Sequence, residues 1–440
     1  MYSNRQIWDV SYPILFGLLA QNVINVTDTA FLGRVGEVEL GASAMGGLYY
    51  ICAFTIAFGF STGSQIIIGR RNGEGRYKEV GPVMITGLFF LSVLAVILFV
   101  FSHFFSGDIM RGLVSSEEIR VATNEFLEWR IFGFFFSFAS VMFRALYIGI
   151  TRTKILTLNA IVMALTNVVL DYLLIFGHGG FPKLGIAGAA IASVIAEAVS
   201  IVFFIVYTRF AVDFRKYGLD RLRSFDFSLL RRVLDISVFT MLQYFISIST
   251  WFMFFIAVEH LGQRELAVAN IVRSVYIVML IPINSLAITT NTFVSNTIGA
   301  GNAKLVIPLI WKICKISFGI MAVFSLLVCL APEWVLSVYT NDATLIDASV
   351  SSVYVISGAL LIGSIGNVVF NGVTGTGNTR AALVMELAVL FFYALYVYIM
   401  GMELRMPVAV CFVTEAIYYA GLLIASVIYL RKARWQNKKI

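Results

Sequence analysis

Two clusters of polar residues in this chain sit where polar residues are costly. Gln21, Asn25 and Asp28 fall at i, i+4 and i+7 inside a long apolar segment, so on a helix they share one face. Asn167 and Asp171 lie one turn apart in another apolar segment, and Ala160 and Ala164 extend their face with small side chains. An ionisable group in hydrocarbon costs on the order of 2.5–3.5 kcal/mol even on the lenient insertion scale, so both faces should look into a wet cavity. Counting about 1.5 Å per helical residue puts Asp28 roughly 30 Å up its helix and Asp171 roughly 24 Å up its own. Ser193, on a descending helix with the small-residue stripe Gly185, Ala189 and Ser193, comes roughly 12 Å below the outer surface, so all three fall in the outer half of one lobe. Two carboxylates facing one space, with no arginine on their own helices, repel each other. They favour a shared proton or a sodium ion held by Asp28, Asp171 and Asn167.

The elements that must hold these groups are membrane helices. Hydrophobic residues make up 59% and charged residues 13% of the chain, against the roughly 45–50% apolar content of soluble domains. Windows of about 20 apolar residues predict twelve spans, near 8–32, 41–69, 82–104, 122–149, 155–176, 185–210, 233–260, 267–297, 306–330, 350–374, 381–401 and 407–430. No segment alternates as a membrane barrel strand would, so the fold class is all-α and polytopic. Most lysines and arginines, among them Arg70, Arg71, Lys78, Arg152, Arg231, Lys304 and the tail Arg431 to Lys439, fall on one side of these spans. That side, with both termini, is expected in the cytoplasm, and the membrane is expected to be the plasma (inner) membrane. The net charge of +7 is explained by these loops, and nucleic acid is not an expected partner.

Other chemistry is excluded by pattern. Cys52, Cys314, Cys329 and Cys411 lie in apolar runs without CxxC spacing, which indicates neither a disulfide framework nor a zinc site. The first long segment follows Met-Tyr-Ser-Asn-Arg without a small-residue cleavage site, so it should stay as a membrane anchor. The run Gly372 to Gly377 lacks the Gly-Lys-Ser/Thr ending and a preceding strand, and reads as a helix end with a tight turn. No Ser/His or His/Glu pair faces a common cavity, so the chain is not expected to be an enzyme and needs no cofactor beyond a coupling ion.

The halves repeat. Gly36, Glu39 and Leu40 match Gly262, Glu265 and Leu266; Gly73, Gly75, Lys78 and Pro82 match Gly299, Gly301, Lys304 and Pro308; Gly149 and Thr153 match Gly375 and Thr379, always at a shift of 226 residues. Two pseudo-symmetric six-helix bundles follow, related by an axis along the membrane normal. We expect an amino-terminal lobe at 1–210, a cytoplasmic linker at 211–232, a second lobe at 233–430 and a basic tail at 431–440. Within the linker, the amphipathic run Phe225 to Arg232 reads as a helix lying on the inner surface.

These motifs resemble a known family. Gly-Arg-Arg-Asn-Gly-Glu-Gly-Arg at 69 to 76, Gly-Thr-Gly-Asn-Thr-Arg at 375 to 380, Val168-Leu170-Asp171-Tyr172 and Gly185 to Ala190 look like the multidrug and toxic compound extrusion (MATE) family over essentially the whole chain. Acids in the first half, with none at the matching places of the second, resemble its DinF-like branch. The NorM-like branch places acids on helices seven and ten, and this chain has none there, so a carboxylate site in the second lobe is not expected.

The resemblance implies an antiporter, driven by H+ or Na+, that exports small organic compounds of cationic or amphipathic character by alternating access. It implies cation and substrate roles for Asp28, Asn167 and Asp171, matches Gln21 and Ser193 to polar positions on helices one and six, and makes Pro13 the bend of helix one. Protonating the two aspartates would release a cationic cargo and let helix one bend, because proline leaves a weak place in the helix ladder. The chain is expected to work as a monomer surrounded by membrane lipid. A lipid-linked oligosaccharide flippase and a major-facilitator transporter are the rival readings; the first needs several cavity cations, the second an acid before the paired basics where this chain has Gly69-Arg70-Arg71-Asn72. The bland reading of Asp28 is an interfacial residue in headgroup water. Arg130, Arg144 and Arg273 are costly in a membrane unless paired or snorkelling, and Glu197 and Glu386 are the acidic partners on offer.

Overall fold

A backbone in hydrocarbon must satisfy its own hydrogen bonds, and the apolar segments do so as helices. The computed structural model describes residues 2–114, 116–220 and 226–436, and among them there is no strand. The first half comprises α1 (Asn4–Val35), α2 (Glu37–Gly73), α3 (Val80–Leu113), α4 (Glu117–Arg130), α5 (Gly133–Gly149), α6 (Lys154–Phe176), α7 (Gly185–Ala211) and the short α8 (Phe214–Tyr217). The second comprises α9 (Phe227–Glu259), α10 (Gln263–Gly299), α11 (Val306–Leu330), the short α12 (Pro332–Ser337), α13 (Ala343–Gly375), α14 (Thr379–Val397), the short α15 (Val408–Cys411) and α16 (Val413–Lys432). All four cysteines are free.

Among the described residues eleven helices are long and apolar enough to cross a membrane, and α4 with α5, bent by 55°, make twelve if that pair counts as one span. The expected single helix at 122–149 is therefore two helices with a bend between them. Most helices also outrun their apolar windows: α1 and α10 carry on to Val35 and Gly299. Hydropathy registers the stretch that needs lipid, whereas the hydrogen-bond ladder stops only where a cap or turn ends it.

The expected surface helix at 225–232 is corrected as well. Asp226 caps α9, its carboxylate accepting from the backbone N–H of Ser228 at 2.8 Å and of Leu229 at 3.3 Å, and residues from Phe227 onward form the first turns of that membrane helix. A well-capped amphipathic run that abuts an apolar one has no reason to break from it. Phe225 itself, with the linker residues Arg221 and Arg223 and the tail residues Lys438 and Lys439, lies outside the described residues. The glycine run at 372–377 ends α13 as expected, with Gly377 at φ +85°.

The chain forms two compact units. One contains Phe16–Asn72 and Arg76–Met241; the other contains Met1–Leu15, Gly73–Gly75 and Leu242–Ile440. In the former, Leu32, Ala42, Phe126, Leu127, Ile175 and Ala189 make an apolar core, and the start of α9 is held to α2 by Thr240 Oγ1 donating to Gly59 O at 2.7 Å and Ser237 Oγ to Phe60 O at 3.2 Å. In the latter, Val272, Met279, Ile356 and Leu360 anchor the core. Its amino-terminal piece is tied down by Tyr2 stacking on Phe293 at 3.9 Å, by Ser285 Oγ donating to Ser11 O at 2.6 Å and by Lys312 Nζ donating to Tyr2 O at 2.7 Å.

Candidate functional site

The site is built where α6 and α7 run side by side. Leu184 N donates to Leu174 O at 2.9 Å, and a Cβ on Gly188 would stand 2.7 Å from that same carbonyl, so glycine is what lets the helices approach so closely. From this pair, Asn167 and Asp171 on α6 and Ser193 on α7 turn toward Asp28 on α1.

Asn167 is the keystone. With its amide nitrogen toward the carboxylates, the orientation assigned when both are ionised, it donates to Asp28 Oδ1 at 3.0 Å and to Asp171 Oδ2 at 3.2 Å. Its remaining amide atom lies 3.4 Å from Ser193 Oγ. The two carboxyls lie against each other, with Ser193 beside Asp28. Asp171 is 0% exposed and Asn167 1% exposed, and Asp171 Oδ1 has no hydrogen-bond partner among the described residues. Two carboxyls in contact, Asp171 buried and Asp28 half-buried, cannot both be charged at low cost, so the arrangement can accept one proton or one small cation.

Gln21 and Asn25 do not join this cluster, although both lie on α1 below Asp28; their side chains are exposed. Pro13 interrupts the hydrogen-bond ladder of α1 and is buried in the other compact unit.

A second charged group stands close by. Arg130, the last residue of α4, makes a two-pronged pair with Glu197 of α7, Nη2 to Oε1 at 2.7 Å and Nη1 to Oε2 at 3.1 Å. Its guanidinium lies 3.5 Å over the ring of Tyr50, whose hydroxyl meets Ser137 at 2.7 Å and Glu197 at 3.2 Å. The bend after α4 makes room: a Cβ on Gly133 would collide with Arg130 and meet the Tyr50 hydroxyl at 2.8 Å.

Sequence reasoning named Arg130 and Glu197 without joining them, and it missed Tyr50 and Ser137. A signal was present on α7. Ser193, Glu197, Ser200 and Thr208 recur at helical spacing, and each has a partner on a neighbouring helix: Asn167, Arg130, Asn159 at 2.9 Å and Tyr147 at 2.7 Å. In the second unit Glu386 pairs with Tyr418 rather than with an arginine. Arg273 lies near the rings of Phe255 at 5.2 Å and Trp251 at 5.9 Å, with its Nε unpartnered.

Comparison with known proteins bears on what this site serves. The MatE family model matches residues 13–173 and again 239–399, two stretches that start 226 residues apart. A probable multidrug resistance protein NorM of Agrobacterium fabrum is 27% identical over 354 residues, covering 79% of this chain and 75% of the relative. One of the same name from Thermotoga maritima is 22% identical and covers 95% and 87%. Among solved structures, a Vibrio cholerae MATE transporter superposes with a TM-score of 0.88 at 17% identity, covering 99% and 98% of the two chains. A MOP superfamily transporter from Pyrococcus furiosus, described as having a binding pocket of reverse polarity, gives 0.86 at 19% identity over 97% and 96%.

Proposed function

Because this chain belongs to the MatE family, whose model matches each of its halves, we propose that it exports small organic compounds, cationic or amphipathic, in exchange for protons taken up at the Asp28–Asp171 pair. The family makes it a multi-pass membrane transporter of the multidrug-efflux kind and not an enzyme, and the major-facilitator alternative falls with that match. The observation that carries the finer reading is the bridge from Asn167 to both carboxyls. An amide within reach of two carboxyls in contact suits a pair that shares one proton. Sodium would need the amide turned to present its oxygen, and the set of two carboxyls, an amide and the Ser193 hydroxyl supplies the hard oxygen ligands for that second reading. A flippase for pyrophosphate-linked sugars fits less well, since the cluster presents carboxyls and the nearby Arg130 is already engaged by Glu197.

In this proposal the outside proton and the cargo compete. Empty of protons, the pair holds positive charge; protonated, it releases it, and Pro13 supplies the weak point at which α1 bends. Gln21 and Asn25, exposed on the same helix, contact cargo rather than the coupling ion. Lobes at 1–210 and 233–430 open alternately about the linker, the monomer lies in the inner membrane, and both termini face the cytoplasm.

The test is efflux from reconstituted vesicles under an imposed proton or sodium gradient. Asp28→Asn and Asp171→Asn should each abolish gradient-driven export, and a proton gradient alone should drive the parent. Parental rates in both variants would overturn the site, and export driven only by sodium would overturn the proton.

A further inference from the structure

The second compact unit contains buried glutamates that the aspartate pair does not explain. Glu386 on α14 and Glu415 on α16 are 2% and 4% exposed, and neither has an ion-pair partner among the described residues. Glu415 is fully served: Tyr276 donates to Oε2 at 2.9 Å, Tyr393 to Oε1 at 3.1 Å, and the Tyr276 and Tyr419 hydroxyls meet at 2.7 Å.

Glu386 is not. Tyr418 donates to its Oε1 at 2.9 Å, and Gln243 and Ser247 of α9 lie beside it, yet its Oε2 has no partner among the described residues. Neither has Oε1 of Gln243, itself only 8% exposed. Both orphans are acceptors, so the missing component is a donor or a positive charge. Leaving a buried carboxylate and a buried amide oxygen unsatisfied is costly, and a single proton on the carboxyl removes the charge and supplies the donor. The groups that titrate near it are Tyr418 of α16 and, packed edge-on to that ring at 6.1 Å, Tyr393, whose hydroxyl is committed to Glu415. Among the described residues the side chains that act on Glu386 are Tyr418, Ser247 and Gln243, none of them cationic.

The internal repeat does not anticipate this site. A shift of 226 carries Asp28 onto Phe254, Asn167 onto Tyr393 and Asp171 onto Val397, while Glu386 falls opposite Ala160. The sequence-based expectation that the second half lacks a carboxylate site considered helices seven and ten; the acids are on eleven and twelve.

We propose that Glu386, with Gln243, Ser247 and Tyr418, is a second proton-carrying site of this transporter, in the unit that lacks the aspartate pair, and that its proton is exchanged during transport. The exchange rests on the chain being proton-driven; the bound proton does not, and the experiment separates them. Infrared difference spectra of the purified full chain in nanodiscs, titrated with pH in potassium buffer, read the carbonyl band of a protonated carboxyl. In an Asp28→Asn/Asp171→Asn background a band should remain, vanish in Glu386→Gln and move in Tyr418→Phe, which keeps the ring and removes only the donor. Size-exclusion profiles establish that each variant is folded. Glu386→Gln alone should lower proton-driven efflux several-fold while cargo binding is kept.

Absence of the band, its survival in Glu386→Gln, or its loss when sodium replaces potassium overturns the proton site. An unchanged efflux rate in Glu386→Gln overturns the exchange. If the aspartate variants export normally while the Glu386 band behaves as stated, the aspartate reading fails and the bound proton stands.

Discussion

Arg130 and Glu197 illustrate what a buried ion pair does at the level of single residues. Their side chains are 12% and 14% exposed, so removing one partner strands the other in a place where charge is poorly solvated. Glu197→Ala should cost about 3–5 kcal/mol of stability, and Arg130→Met with Glu197→Leu should recover most of that loss. Unfolding in detergent of both single variants and the double variant decides it, and simple additivity would refute the pairing argument. Gly133→Ala tests the same cluster by crowding it, and should lower stability by about 1–3 kcal/mol in the same assay. The aspartates were legible in the sequence because the cost of charge in hydrocarbon is an argument about one residue at a time. Tyr50 and Ser137 were not, since their importance comes from α2 and α5 converging on one guanidinium.

At the scale of the element, helix existence could be read and helix interruption could not. The composition changes at the 55° bend, from the charge-rich Glu117–Arg130 to the apolar Gly133–Gly149, and a window of about 20 residues averages across that step. The start of α9 escaped for a related reason: a capping aspartate next to an amphipathic run looks the same whether the helix ends after two turns or runs on into the bilayer. Caps also give the helices a pH dependence. Asp342 at the head of α13 and Asp226 at the head of α9 are held below the usual carboxylate range, chiefly by the hydroxyls of Thr344 and Ser228 and then by backbone N–H groups. A lowered value means the carboxylate's contribution is complete above the ordinary carboxylate range and is lost as pH falls through the lowered one. Asp342→Asn keeps an acceptor but cannot titrate, so its melting temperature should decline less than the parent's on acidification. Parallel declines would show that the cap carries no pH dependence.

The duplication is the most legible property of the whole molecule, since a constant spacing of glycines survives where most side chains have changed. It is also where symmetry misleads. The same shift that aligns the loops replaces the aspartate pair with phenylalanine and valine, and places an alanine opposite Glu386. What the spacing did not disclose is that each compact unit begins inside a helix, at Leu15/Phe16 in α1 and at Met241/Leu242 in α9, two positions that are again 226 residues apart.

That reciprocal trade of opening turns bears on scission. A polypeptide severed between Asp220 and Asp226 gives two fragments, and neither holds all of a compact unit: the first lacks the α9 turns up to Met241, the second lacks the stretch through Leu15. Expressed singly, each fragment should be degraded; expressed together, they should co-purify as a stoichiometric pair. Recovery of either one alone as a folded, monodisperse species would mean that the traded turns are dispensable.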